Sequence, residues 1–332
     1  MSAKAGSGHV LRLAFAVPTA ALIATGFGLP LGYFASVLVL TALGPLIAGL
    51  TLRLALLTLV LVTGVATALA LILTPLIGNP VAYLVVVAAL LFGAYRLQGG
   101  KLTPVAALAI PLTVLFGPLV PLASGFAAGL AALLIALTAS AILAVILAWL
   151  IFPGPPSAAV TDPPIPRSGA DCAISAAIMT MLIAITLKLD AQSALRLLMI
   201  ASGVLAITDP AASTRGASAT FAATIAGVGA AMLLRNFSFI AATPALSALA
   251  LALIILIIGY RFVRPETAPM ASTGLMTVII LMGAGTGVPT AKLIEFTLYT
   301  LAGIGIAIGL RHTMLWHFGG RSYRAALPLG AP

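Results

Sequence analysis

Between Arg53 and Arg96 the chain carries no charged residue, and the stretches from Leu13 to Leu52 and from Leu102 to Thr161 are equally bare. A run of about 20 apolar residues is what an α-helix needs to cross the hydrocarbon core of a bilayer. In that core the backbone polar groups must be satisfied within the protein, which a helix does for itself. These runs therefore read as a series of membrane-spanning helices. Composition agrees: 7% of the residues are charged and 62% are hydrophobic, where a soluble domain carries about 25% charged residues.

Cutting the runs at charges, Pro and Gly predicts about twelve spans, near 10–28, 31–52, 54–76, 81–97, 102–120, 124–152, 170–188, 191–209, 214–235, 238–262, 270–288 and 290–316. The basic N-terminal stretch resembles the start of a signal peptide, but Arg12 falls inside the apolar segment and further spans follow at once, so it reads as an uncleaved first helix. Sixteen bases stand against six acids, a formal charge of +10. The bases occur singly in short connections, without the runs that grip nucleic acid, so their bias reports orientation. With the N-terminus inside, Lys4, Arg12, Arg53, Arg96, Lys101, Arg167, Arg215, Arg261, Arg264, Arg311, Arg321 and Arg324 fall on one side. Lys188, Arg196, Arg235 and Lys292 fall on the other. Both termini are then cytoplasmic. The one cysteine, Cys172, excludes an intrachain disulfide and reads as an apolar filler.

The second half repeats phrases of the first in the same order. Phe92–Arg96 (FGAYR) faces Ile257–Arg261 (IIGYR); Ala42–Arg53 (ALGPLIAGLTLR) faces Ala206–Arg215 (AITDPAASTR). Val62–Leu71 faces Ile225–Leu234, Leu112–Pro121 faces Met276–Pro289, and Leu147–Gly154 faces Met314–Gly320. Six spans per half is an even number, so the fold class expected is an all-α polytopic membrane protein of two parallel six-helix repeats. The first bundle covers 1–152, a Pro-rich cytoplasmic strap 153–169, the second bundle 170–318 and a cytoplasmic tail 319–332.

Ionisable groups within spans are costly and default to functional candidates. The first half has no acid before Asp162. The candidate proton carriers are therefore Asp209, beside the helix-breaking Pro210, Glu295, three residues after Lys292, and Asp190. Asp209 has a second reading, as the cap of the following helix, and Glu295 as a partner of Lys292 across one helix turn. The fifth and eleventh spans look short and interrupted, and such breaks in matching positions point to a transport site. Phe116, Gly117, Gly283, Gly285, Thr286 and Lys292 are the substrate-binding candidates there; close packing of small residues is the competing reading. Arg53, Arg96, Arg215 and Arg261 would form an anion-attracting cytoplasmic mouth, or serve as headgroup anchors. Three dispersed histidines make no metal site, and neither a Walker A phosphate loop nor a cofactor motif is present.

The first-half order GLPLGYFASVLVLTALGP, a later LR, TG and Tyr, and the closing WLIFPGPP resemble the fusaric acid resistance family of inner-membrane exporters, which includes aromatic acid exporters. The resemblance covers nearly the whole chain. It implies export of aromatic or other weak organic acids across the bacterial inner membrane; a proton-driven secondary exporter is the leading reading, and the lack of clustered His, Asp or Glu at helix ends argues against a membrane enzyme. It also implies a periplasmic membrane-fusion adaptor as partner beside the organic anion and the lipid bilayer; a homodimer is a compatible assembly. Many relatives carry a cytoplasmic domain that the strap replaces here. Plant aluminium-activated malate channels look like distant relatives of the same bundle, so a passive anion channel is the alternative.

Overall fold

A computed structural model describes residues 3–43, 51–98, 103–122, 127–153, 167–189, 195–207, 210–236, 243–262, 268–283 and 290–318. Among them are twelve α-helices and one 3-10 turn, with no strand. The helices are α1 (Ala3–Gly26), α2 (Tyr33–Leu43), α3 (Leu52–Leu73), α4 (Pro80–Leu97), α5 (Thr103–Leu122), α6 (Ala127–Ile151), α7 (Gly169–Leu189), α8 (Leu195–Ala206), α9 (Pro210–Asn236), α10 (Pro244–Phe262), α11 (Ala268–Gly283) and α12 (Thr290–Phe318). Six of them, α1, α3, α4, α6, α7 and α9, contain segments long and apolar enough to cross a membrane. The chain is an all-helical protein with the composition of a membrane protein.

Local chemistry explains several boundaries. Asn79 accepts a hydrogen bond from the Ala82 amide at 3.1 Å, and Pro80 takes the first helical position of α4, where a missing N–H costs nothing. Ser168 caps α7 by accepting from the Asp171 amide at 3.1 Å.

Of the second and eighth spans, expected near 31–52 and 191–209, the described residues hold helix over Tyr33–Leu43 and Leu195–Ala206; residues 44–50 and 191–194 lie outside the described residues. One expectation changes in the structure. The fifth span, expected to be interrupted, is a continuous helix of 20 residues that contains Pro111, Pro118 and Pro121. Pro121 has no N–H to give the Gly117 carbonyl four residues earlier, and the Tyr83 hydroxyl of α4 donates to that carbonyl instead. A neighbouring helix thus supplies the bond the proline removes, which is how membrane helices tolerate proline.

The chain divides into two compact units. Unit 1 comprises residues 1–64, 128–162 and 219–297; unit 2 comprises 65–127, 163–218 and 298–332. Each draws on both halves of the sequence. In unit 1, α1 packs on α2 and α10, and α11 packs on α10 and α2. Leu13, Val17, Val39, Leu43, Leu59, Val145, Ile255 and Leu275 share its core. Gly259 lets α10 approach α1: a Cβ there would lie 2.2 Å from the Val10 side chain. The buried Ser36 hydroxyl donates to the Val17 carbonyl at 2.5 Å, tying α2 to α1. In unit 2, α4 packs on α5 and α7, and α5 packs on α8 and α7. Gly117 permits the last of these, since a Cβ there would meet Ile183 at 3.2 Å.

Candidate functional site

The most concentrated polar chemistry among the described residues lies in unit 2, where α7 begins and α8 finishes. Ser168 and the first turn of α7 place Asp171 at the helix start, where the partial positive charge of the peptide dipoles favours a carboxylate. Arg167 stands one turn earlier. Its Nε donates to Asp171 Oδ2 at 2.7 Å and its Nη2 lies 2.6 Å from the same oxygen. Nη2 also donates to the Ser175 hydroxyl at 2.9 Å and Nη1 to Gln98 Oε1 at 2.8 Å. The guanidinium sits 4.8 Å over the Tyr95 ring, a cation–π contact.

Arg311 arrives from α12. It donates to both carboxylate oxygens of Asp171, Nε to Oδ1 and Nη2 to Oδ2, each at 3.1 Å. Its Nη1 donates to the Ile207 carbonyl at 2.7 Å, just beyond the last residue of α8. Gln98, which closes α4, donates through Nε2 to the Ala206 carbonyl at 3.1 Å. The C-terminal carbonyls of α8, unpaired within the helix and partly negative, therefore meet a guanidinium and an amide. Arg311 is 1% exposed and Asp171 8%. Charges this buried are tolerated only when paired and hydrogen-bonded, and this network does both. The Tyr95 hydroxyl, fully buried beside it, makes no hydrogen bond.

Unit 1 holds a smaller counterpart. Arg12, 3% exposed on α1, donates through Nε to the Phe152 carbonyl at 2.9 Å, and its guanidinium lies 4.6 Å over the Trp149 ring. Phe152 meets Phe15 edge to face at 5.9 Å. One helix turn earlier His9 is buried, and its Nε2 has no hydrogen-bond partner among the described residues.

The residues expected from sequence to form the site fall elsewhere. Asp190, Asp209, Gly285 and Thr286 lie outside the described residues. Arg215, Gly283 and Lys292 are placed on α9, α11 and α12 by their backbone alone. Glu295 is half-buried on α12. Phe116 and Gly117 are buried on α5, with the Gly117 carbonyl taken by Tyr83. Arg53 and Arg96 are exposed on α3 and α4, and Arg261 is exposed on α10. Arg96 Nη1 comes within 3.5 Å of where a Cβ on Gly169 would sit, close to the start of α7.

Sequence reasoning missed Asp171, Arg167, Arg311 and Arg12 as interacting groups. One signal was available: Ser168-Gly169-Ala170-Asp171 has the spacing of a helix cap followed by a first-turn acid, which sets Asp171 at a helix start. Nothing local joins Asp171 to Arg311, 140 residues away.

Comparisons with family models, with curated proteins and with solved structures return no match for this chain.

Proposed function

We propose that this chain is a secondary transporter that exports aromatic or other weak organic acids across the bacterial inner membrane, driven by the proton gradient. The observation that carries the reading is the buried Arg167–Asp171–Arg311 tie at the end of α8. Intramembrane ionisable groups of this kind mark ion and proton routes. With the basic connections inside, the tie lies at the cytoplasmic end. Arg53, Arg96 and Arg261 at that side would concentrate an anion before it enters. Asp209 follows the Arg311-bound Ile207 carbonyl by two residues, so it enters the proposal as a coupling acid beside Asp171 and ahead of Glu295 and Asp190. In the proposed cycle the tie holds the cytoplasmic end closed, and its opening admits substrate.

The helix pairings support reading the chain as two parallel six-helix repeats. The first helix of one half meets the fourth of the other twice, as α1 with α10 and as α7 with α4. The second meets the fifth twice, as α2 with α11 and as α8 with α5. Helices α2 and α8 hold matching places in the two halves. The family resemblance of the sequence adds the substrate class and a periplasmic adaptor as partner.

The test is uptake of a labelled hydroxybenzoate into proteoliposomes, with and without an imposed pH gradient. Accumulation above equilibrium only with the gradient is the expected result, and Asp209→Asn is expected to abolish it. Equilibration regardless of the gradient would replace the exporter with a passive anion channel. No flux would remove the substrate class.

A further inference from the structure

A groove of about 180 Å³ lies wholly within unit 1, between α9, α10 and α11. Its α9 wall is made of small residues. Two faces of that wall behave differently. On the inner face, Gly227 brings α9 against α11: a Cβ there would lie 2.5 Å from the Gly274 carbonyl oxygen. That contact accounts for Gly227 and Gly274. It leaves the outer face unexplained, where Ala222 and Ala226 are exposed and line the groove opposite Ile254 and Ile258 of α10.

Large apolar side chains surround the opening. Ile225 is 46% exposed, Leu253 57% and Ile257 64%, and Ala222 and Ala226 belong to a segment of α9 apolar and long enough to cross a membrane. The medium beyond such a rim is acyl chain. A helix is about 10 Å across with its side chains, while the groove is close in size to an apolar cavity of about 150 Å³ that holds one benzene. A second polypeptide helix does not fit; a single hydrocarbon chain does. From Ala222 to Ala230 the wall rises about 12 Å, most of the roughly 15 Å depth of one leaflet's hydrocarbon. One lining residue is charged: Arg261, in the last turn of α10. A basic residue at a span end sits at headgroup level and favours an acidic lipid.

We propose that this groove is a seat for one acyl chain of an acidic glycerophospholipid, with its phosphate on Arg261. The groove shares no residue with the ionic tie of unit 2; Arg261 is common to the groove and to the proposed anion-concentrating side. Shape retains the lipid, and the guanidinium selects the headgroup.

The experiment reconstitutes the full chain in vesicles of mixed phosphatidylcholine and phosphatidylglycerol, extracts it in mild detergent, and weighs the retained lipid by native mass spectrometry. Wild type is expected to keep one phosphatidylglycerol in preference to phosphatidylcholine. Ala226→Leu puts a side chain into the groove from an exposed position; it should lose the lipid while melting at the wild-type temperature. Arg261→Gln should keep a lipid and lose about fivefold of its preference for the acidic headgroup. Equal retention by Ala226→Leu would overturn the proposal. So would a dimer mass that Ala226→Leu converts to monomer, which would give the groove to a second copy. Release of the lipid by benzoate would also overturn it, by giving the groove to an aromatic acid.

Discussion

In unit 1 the buried Arg12 is held by the Phe152 carbonyl and the Trp149 ring, whereas in unit 2 the buried Arg311 grips Asp171 and the Ile207 carbonyl where α8 ends. One buried arginine is held without a carboxylate, the other within an ionic network. The acid content of the halves explains the contrast. With no acid before Asp162, the first half has no carboxylate of its own to neutralise a buried guanidinium. Its one buried arginine, Arg12, is held by a carbonyl and an indole face. The second half has Asp171 and can bury two arginines around it. A tie built on opposite charges depends on its carboxylate; a tie built on a carbonyl and an aromatic ring has no carboxylate to lose.

Four substitutions sharpen this comparison. Asp171→Ala leaves Arg167 and Arg311 buried without their carboxylate, and unfolding of the purified protein should show a loss of about 3–5 kcal/mol. A loss under 1 kcal/mol would mean that the tie does not hold the end of α8. Arg12→Met should cost about 2–3 kcal/mol by the same assay, from a charge-assisted hydrogen bond and a cation–π contact. Parity between the two variants would erase the distinction between the two buried-arginine sites. His9→Leu, which replaces a buried imidazole whose Nε2 has no hydrogen-bond partner among the described residues, is expected to change stability by about 1 kcal/mol or less, and a larger loss would reveal a polar contact made by the ring. Tyr95→Phe removes a buried hydroxyl that has no partner while keeping the ring under Arg167. Its stability should match wild type or exceed it by about 1 kcal/mol; a clear loss would place Tyr95 inside the network.

How much of this was written in the sequence depends on whether the determinant was local. The apolar runs from Leu13 to Leu52 and from Arg53 to Arg96 marked helices because the bilayer admits few alternatives, and α3 and α4 followed. The fifth span misled because three prolines look like a break. Their effect is cancelled by Tyr83, a residue on another helix that no window around Pro121 contains. The site escaped for a related reason. Asp171 stands at the edge of the Pro-rich strap and reads as a connection charge until Arg311, far along the chain, is folded onto it. Arg12 and Arg311 were counted as topology signals, although each also has a structural partner.

The comparison between the two buried-arginine sites is tested most directly by measuring gradient-driven uptake of labelled hydroxybenzoate in vesicles carrying Asp171→Asn beside vesicles carrying Arg12→Met, each normalised to inserted, folded protein. If the ionic tie of α8 is the element that opens, Asp171→Asn loses accumulation above equilibrium while Arg12→Met keeps it. Full accumulation by Asp171→Asn, or its loss in Arg12→Met alone, would contradict the account.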